Sequence, residues 1–211
     1  MKACGCLPPL ARHARTGGRG RRVTTRRIAM LGDSLTAGYG LRPSEALPVR
    51  LQAELARLDV TATVINAGVS GDTTADGLRR VDRVVPADTE LCLVALGAND
   101  LMQTVPTDHI RKNLEAILDR LAHRGIPAMV CGMRAPPWFG LYAVAFDRLF
   151  RTVAESRQLA FDPFLLEGVA LNPAYALPDR IHPNAPGVEV IARRLAPRVA
   201  DALPSRPAPG G

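Results

Sequence analysis

Arg27-Ile28-Ala29-Met30-Leu31-Gly32-Asp33-Ser34-Leu35 is the stretch on which the reading of this chain turns. An unbroken apolar run closed by glycine predicts a strand over residues 27–31 that is buried on both faces, not one alternating between core and water. Such strands belong to parallel sheets covered by helices. Asp33 and Ser34 then fall at the carboxyl end of the strand, where sheets of this class gather their functional groups.

Outward from there, short apolar runs alternate with helical spacing. Leu47, Leu51, Leu55 and Leu58 predict a helix over 44–58 with Ser44 as its N-cap. A β-branched run predicts a second strand over 61–65. Further helices are expected over 73–84, 107–124, 141–156 and 184–203, and further strands over 91–96, 126–132 and 159–161. The 107–124 pattern (Ile110, Leu114, Ile117, Leu118, Leu121) starts at a Thr107 cap and precedes Gly125. Pro186 suits the first turn of the last helix, whereas Pro197 is expected to end or kink it. This alternation predicts an α/β fold, a three-layer α/β/α sandwich around a five-stranded parallel sheet with a flavodoxin-like layout.

The 211 residues suit one domain with a sizeable core. The formal charge of +7 suggests nucleic acid until its distribution is read. Residues 1–27 hold eight basic residues and no acid, leaving 19 basic and 20 acidic residues in the rest. The body is near neutral, so no nucleic-acid partner is expected for it, and contact with acidic surfaces is confined to the tail. Composition predicts a basic disordered tail over 1–26, a single domain over 27–203, and a disordered Pro/Gly-rich end over 204–211. Cys92 and Cys131 sit in apolar runs and are expected to be buried thiols. Cys4 and Cys6 form a C-x-C pair without a second pair, so no metal site is expected. No stretch reaches the length of a membrane span, and no apolar h-region marks a signal peptide. The chain as given therefore reads as cytoplasmic, or as periplasmic or secreted if its start is misassigned.

Four polar blocks follow the predicted elements. Gly32-Asp33-Ser34 offers a serine on a tight turn, with backbone N–H groups able to receive an oxyanion, yet alone it reads equally as a helix cap. Asn66-Ala67-Gly68-Val69-Ser70-Gly71-Asp72-Thr73 brings glycines whose backbone a ligand can approach closely, or makes an ordinary turn capped by Asp72 or Thr73. Gly97-Ala98-Asn99-Asp100 offers an uncharged amide donor in Asn99, with Asp100 placed to cap or brace the loop. Asp179-Arg180-Ile181-His182 offers a base near neutrality, with a carboxylate three residues earlier to fold back onto the imidazole. His109 and His123 belong to an amphipathic helix and His13 to the tail, so His182 is the candidate base.

In this order the blocks resemble those of the SGNH, or GDSL, hydrolases, over about residues 27–203. Longer runs are similar to the bacterial arylesterase and thioesterase I/lysophospholipase branch: 32–39, 70–74, Met133-Arg134-Ala135-Pro136-Pro137-Trp138-Phe139-Gly140, and 179–184. The resemblance implies a serine esterase that needs no cofactor. Ser34 would be nucleophile, His182 base and Asp179 its orienting partner. The N–H groups of Ser34 and Gly71 and the Asn99 side chain would form the oxyanion hole. The expected substrates are small acyl esters or thioesters, with Arg134, Pro136, Trp138 and Phe139 as candidate pocket residues. A carbohydrate O-acetylesterase on the same scaffold, an acyltransferase, or a binding protein acting through the basic tail are the alternatives. The branch's usual export signal is absent from these residues.

Overall fold

The computed structural model describes Met1 and residues 25–205. The tail predicted over 1–26, apart from Met1, Thr25 and Arg26, lies outside the described residues, as do Cys4, Cys6, His13 and residues 206–211.

The sheet consists of β1 (Arg26–Gly32), β2 (Ala62–Gly68), β3 (Leu91–Ala95), β4 (Ala128–Cys131) and β5 (Ala160–Asp162). All neighbours pair in parallel, in the order β2-β1-β3-β4-β5. The helices are α1 (Ser34–Ala37), α2 (Leu47–Arg57), α3 (Thr74–Val84), α4 (Ala98–Met102), α5 (Thr107–His123), α6 (Leu141–Ser156) and α7 (Ala185–Ala202). Helices α2 and α7 pack together, as do α3, α5 and α6. Right-handed crossovers put these two sets on opposite faces of the sheet. The three-layer sandwich expected from the alternation of elements is the fold observed.

Burial explains the order. Ile28, Ala29, Met30 and Leu31 are fully buried, as are Leu91 through Leu96, so β1 and β3 occupy the covered middle. The five predicted apolar positions of α5 are its buried residues. Cys92 and Cys131 are buried free thiols, and burial pushes the Cys92 thiol up to about 12.

Several boundaries differ from expectation, each for a local reason. Ser44 does not cap α2; it lies in a 3-10 turn, Pro43–Glu45, and α2 starts after Ala46 with Pro48 in its first turn. Leu58 is 45% exposed, because α2 ends at Arg57 and Leu58 is its C-cap, off the helical stripe; the left-handed Asp59 (φ 59°) then turns the chain back toward β2. Thr107 is the first residue of α5 and Pro106 holds the cap position. Strand β2 runs on to Gly68, matched to the full length of β1, and β4 starts late, since Pro127 has no N–H for the ladder. Helix α7 passes through Pro197 instead of ending there. Pro197 and Arg193 both lie on its exposed face, so the carbonyl that proline leaves without a donor is not shut into the core, and the break in the ladder costs little. Among the described residues no helix is long and apolar enough to cross a membrane.

The register brings three of the polar blocks to one level. Gly32 of β1 pairs with Gly68 of β2 and with Ala95 of β3. Ser34, Gly71 and Asn99 therefore leave adjacent strand ends within a few residues of that common rung. The chain steps from β1 to β2 on one side and later to β3 on the other, which makes the end of β1 the switch point of the sheet.

Candidate active site

Ser34 opens α1 directly after β1. Asp33 caps that short helix, its carboxylate accepting from the Leu35 N–H at 3.0 Å, and Gly38 closes it in the left-handed region. The turn requires small residues where backbones meet. A Cβ on Gly68 would stand 2.4 Å from the Ala37 nitrogen.

The Ser34 hydroxyl lies 2.9 Å from His182 Nε2, and His182 Nδ1 lies 2.6 Å from Asp179 Oδ2. The other oxygen of Asp179 accepts the backbone N–H groups of Ile181 (2.9 Å) and His182 (3.0 Å). These bonds, followed by that of the imidazole, hold the Asp179 carboxyl down at about 2. It is ionised at neutral pH, which puts the imidazole proton on Nδ1 and leaves Nε2 to accept from Ser34. Arg180 adopts φ 59°, the left-handed turn that brings His182 back over Asp179. Asn184 secures the loop: its carboxamide oxygen caps α7 through the Gly187 N–H, and its amide donates to the Ala174 carbonyl at 2.9 Å. The Tyr39 ring packs on the imidazole, with centroids 4.5 Å apart.

Gly71 has φ 88°, and its N–H makes no bond within the described residues. A Cβ added there would meet nothing within 4 Å, so this backbone faces open space. The Asn99 amide donates to the Asp72 carbonyl at 2.9 Å and makes a long contact, 3.5 Å, with Asp33 Oδ2. One amide N–H is thus anchored, while the other is weakly held and free for a better acceptor. Thr73 caps α3 reciprocally with Asp76. Asp100 braces α3 from outside, accepting from the Thr74 N–H (2.8 Å) and hydroxyl (2.6 Å).

The candidate pocket residues follow β4 at the same end of the sheet. Arg134 is exposed, its guanidinium 5.3 Å from the centre of the Phe164 ring. Pro136 leads into a 3-10 turn, Pro137–Phe139, in which Trp138 is 74% exposed. Phe139 is partly buried and turns toward α6, 6.2 Å from Tyr142. His109 and His123 are exposed at the two ends of α5, and neither bonds Ser34 or Asp179. Among the described residues no cluster of three or more His, Cys, Asp or Glu side chains could hold a metal ion. A concavity of about 520 Å³ lies at the opposite end of the sheet, lined by Leu118, Ile126, Leu159 and Arg157, and carries no nucleophile or base.

Two features of this site escape a motif reading: the burial of Asp33 and the placement of Arg80. Asp33 is fully buried, and desolvation raises its carboxyl to about 6 despite the Leu35 N–H and the nearby His182. Arg80, in mid-helix, bonds Asp72 and two strand-end carbonyls. Its only trace in the sequence is an arginine beside Gly77 and Val81 on the buried stripe of α3.

Comparison with known proteins identifies the family and the fold. Residues 30–190 match the GDSL-like Lipase/Acylhydrolase family. The arylesterase of Vibrio mimicus is 33% identical over 172 residues, covering 81% of this chain and 86% of that protein. Thioesterase 1/protease 1/lysophospholipase L1 of Escherichia coli (strain K12) is 30% identical over 171 residues, covering 80% and 81%. The crystal structure of AlinE4, an SGNH-hydrolase family esterase, superposes with a TM-score of 0.72 at 43% identity, covering 86% of this chain and 98% of that one. The chain belongs to the GDSL-like lipase and acylhydrolase family and, as a member of it, is a carboxylic ester hydrolase.

Proposed function

We propose that the protein hydrolyses carboxylic esters and thioesters of short to medium acyl chains through an acyl-enzyme formed on Ser34. The observation that carries this reading is the unbroken line from Asp179 through His182 to the Ser34 hydroxyl. The names of the similar arylesterase and thioesterase support the substrate class.

In this mechanism the Ser34 oxygen attacks the acyl carbon while its proton passes to His182 Nε2. The imidazolium so formed faces the ionised Asp179. The carbonyl π electrons move onto oxygen, and that oxyanion is received by the N–H groups of Ser34 and Gly71 and the free amide N–H of Asn99. Collapse of the tetrahedral species expels the alkoxide or thiolate, which takes the proton from His182. Water then repeats the sequence on the acyl-enzyme and regenerates Ser34. Trp138, in the 3-10 turn after β4, and Met102, the last residue of α4 after β3, are both exposed beyond the strand ends and are the proposed walls for the acyl chain.

Ser34→Ala is expected to abolish hydrolysis of p-nitrophenyl butyrate with an unchanged circular dichroism spectrum, and a serine-directed phosphonate should label Ser34 alone. Near-normal turnover by the variant, or labelling elsewhere, overturns the reading. A graded panel of aryl esters, acyl-CoA thioesters and acetylated sugars then ranks the substrates.

A further inference from the structure

Arg80 is the buried cation of this site. Its residue is 8% exposed, although it stands in the middle of α3 among Gly77, Leu78 and Val81. Leaving water is costly for a guanidinium unless every direction is answered, and here three acceptors answer it. Nε donates to Asp72 Oδ2 at 2.5 Å, one terminal nitrogen to the Ala67 carbonyl at 2.7 Å, and the other to the Gly32 carbonyl at 2.8 Å.

The acceptors are not scattered. Gly32 ends β1 two residues before Ser34. Ala67 lies near the end of β2, where the loop bearing Gly71 begins. Asp72 follows Gly71, and its own carbonyl holds the anchored N–H of Asn99. One rigid fork is thus bonded to each segment that carries or anchors a proposed oxyanion donor. A lysine has the charge but not the fixed geometry to meet all three.

We propose that Arg80 is a positioning residue for acyl transfer, setting the mutual spacing of the Ser34 N–H, the Gly71 N–H and the Asn99 amide through Gly32, Ala67 and Asp72. The inference rests on the reading of those three groups as an oxyanion site. Misplacing preorganised donors by a fraction of an ångström weakens the transition state far more than it weakens ester binding. Arg80 therefore acts on kcat.

The test compares Arg80→Lys and Arg80→Met with Val81→Ala, a cavity variant at the fully buried neighbour on the same helix. Tm, kcat and KM for p-nitrophenyl butyrate, and the affinity of an alkyl trifluoromethyl ketone, which binds as a tetrahedral adduct, are measured for each. Both Arg80 variants are expected to lose about tenfold to a hundredfold in kcat, with KM within about threefold and ketone affinity falling in step with kcat/KM. Val81→Ala should lower Tm and keep kcat. Arg80 variants that keep kcat while Tm falls, or a Val81→Ala that loses kcat equally, overturn the proposal. Should Arg80→Met not fold, Asp72→Ala removes the ionic partner while keeping the Asp72 carbonyl, and unchanged kcat there overturns it as well. Phosphonate labelling of the wild-type protein separates the two levels. No adduct on Ser34 defeats the acyl-enzyme reading itself, whereas a Ser34 adduct with unaffected Arg80 variants defeats only the positioning role.

Discussion

Asp33 and Asp179 stand on either side of the same serine–histidine pair in opposite environments. Asp179, near water and given two backbone N–H groups and an imidazole, sits at about 2. Any stability it contributes is present above the ordinary carboxylate range and lost only as pH falls through about 2. Asp33 is fully buried and rises to about 6. The folded state therefore binds its proton more tightly than the unfolded chain does, and that contribution is lost as pH rises from about 4 through about 6. Asp33→Asn keeps an acceptor for the Leu35 N–H and removes the charge. Thermal melts between pH 4 and pH 8 should show a flatter profile for this variant and a gain of roughly 2–3 kcal/mol over wild type above pH 7. An unaltered slope would show that Asp33 does not titrate in this range. Asp100 raises the same carboxyl and His182 lowers it, so the profile also reports on that neighbourhood.

At the scale of elements, the site depends on how closely α1 sits on the ends of β1 and β2. Its first turn is pressed against Gly68, where a Cβ would lie 2.4 Å from the Ala37 nitrogen and 2.9 Å from the Asp33 carbonyl. Those are backbone atoms, so they cannot rotate away. Gly68→Ala must displace α1 and Ser34 with it. The expected result is a loss of about 1–3 kcal/mol of stability together with a large fall in turnover, read from Tm and p-nitrophenyl butyrate kinetics on one preparation. Normal turnover would show that α1 can shift without disturbing Ser34. The 177–182 segment depends on a different device. The Leu177 N–H donates to the His182 carbonyl at 2.8 Å, and the left-handed Arg180 at the tip folds the imidazole onto Asp179.

On the scale of the molecule, charge and site are separated along the chain. The basic excess lies in residues 1–27, up to the first two residues of β1, while Ser34, Gly71, Asn99, Asp179 and His182 all lie at the carboxyl ends of the strands. Removal of residues 1–24 is expected to leave kcat/KM within about twofold and to cancel any salt-dependent binding of nucleic acid by the full chain. Loss of activity on truncation would tie the tail to the site. The strand–helix alternation and the residue types at each strand end were readable in the sequence because they follow from local apolar spacing and side-chain chemistry. So were Ser34, Gly71, Asn99, Asp179 and His182 as candidates, each ambiguous alone and informative in their order. Ser44 and Thr107 misled as caps because neighbouring prolines took over the helix starts, and Pro197 misled because it lies on the exposed face, where the break in the ladder costs little. Two things came only from the tertiary structure. The register of Gly32 with Gly68 and Ala95 brings blocks more than 30 residues apart to one rung. The burial that lifts Asp33 and threads Arg80 through three segments depends on atoms distant in the chain, so no local pattern could have announced it.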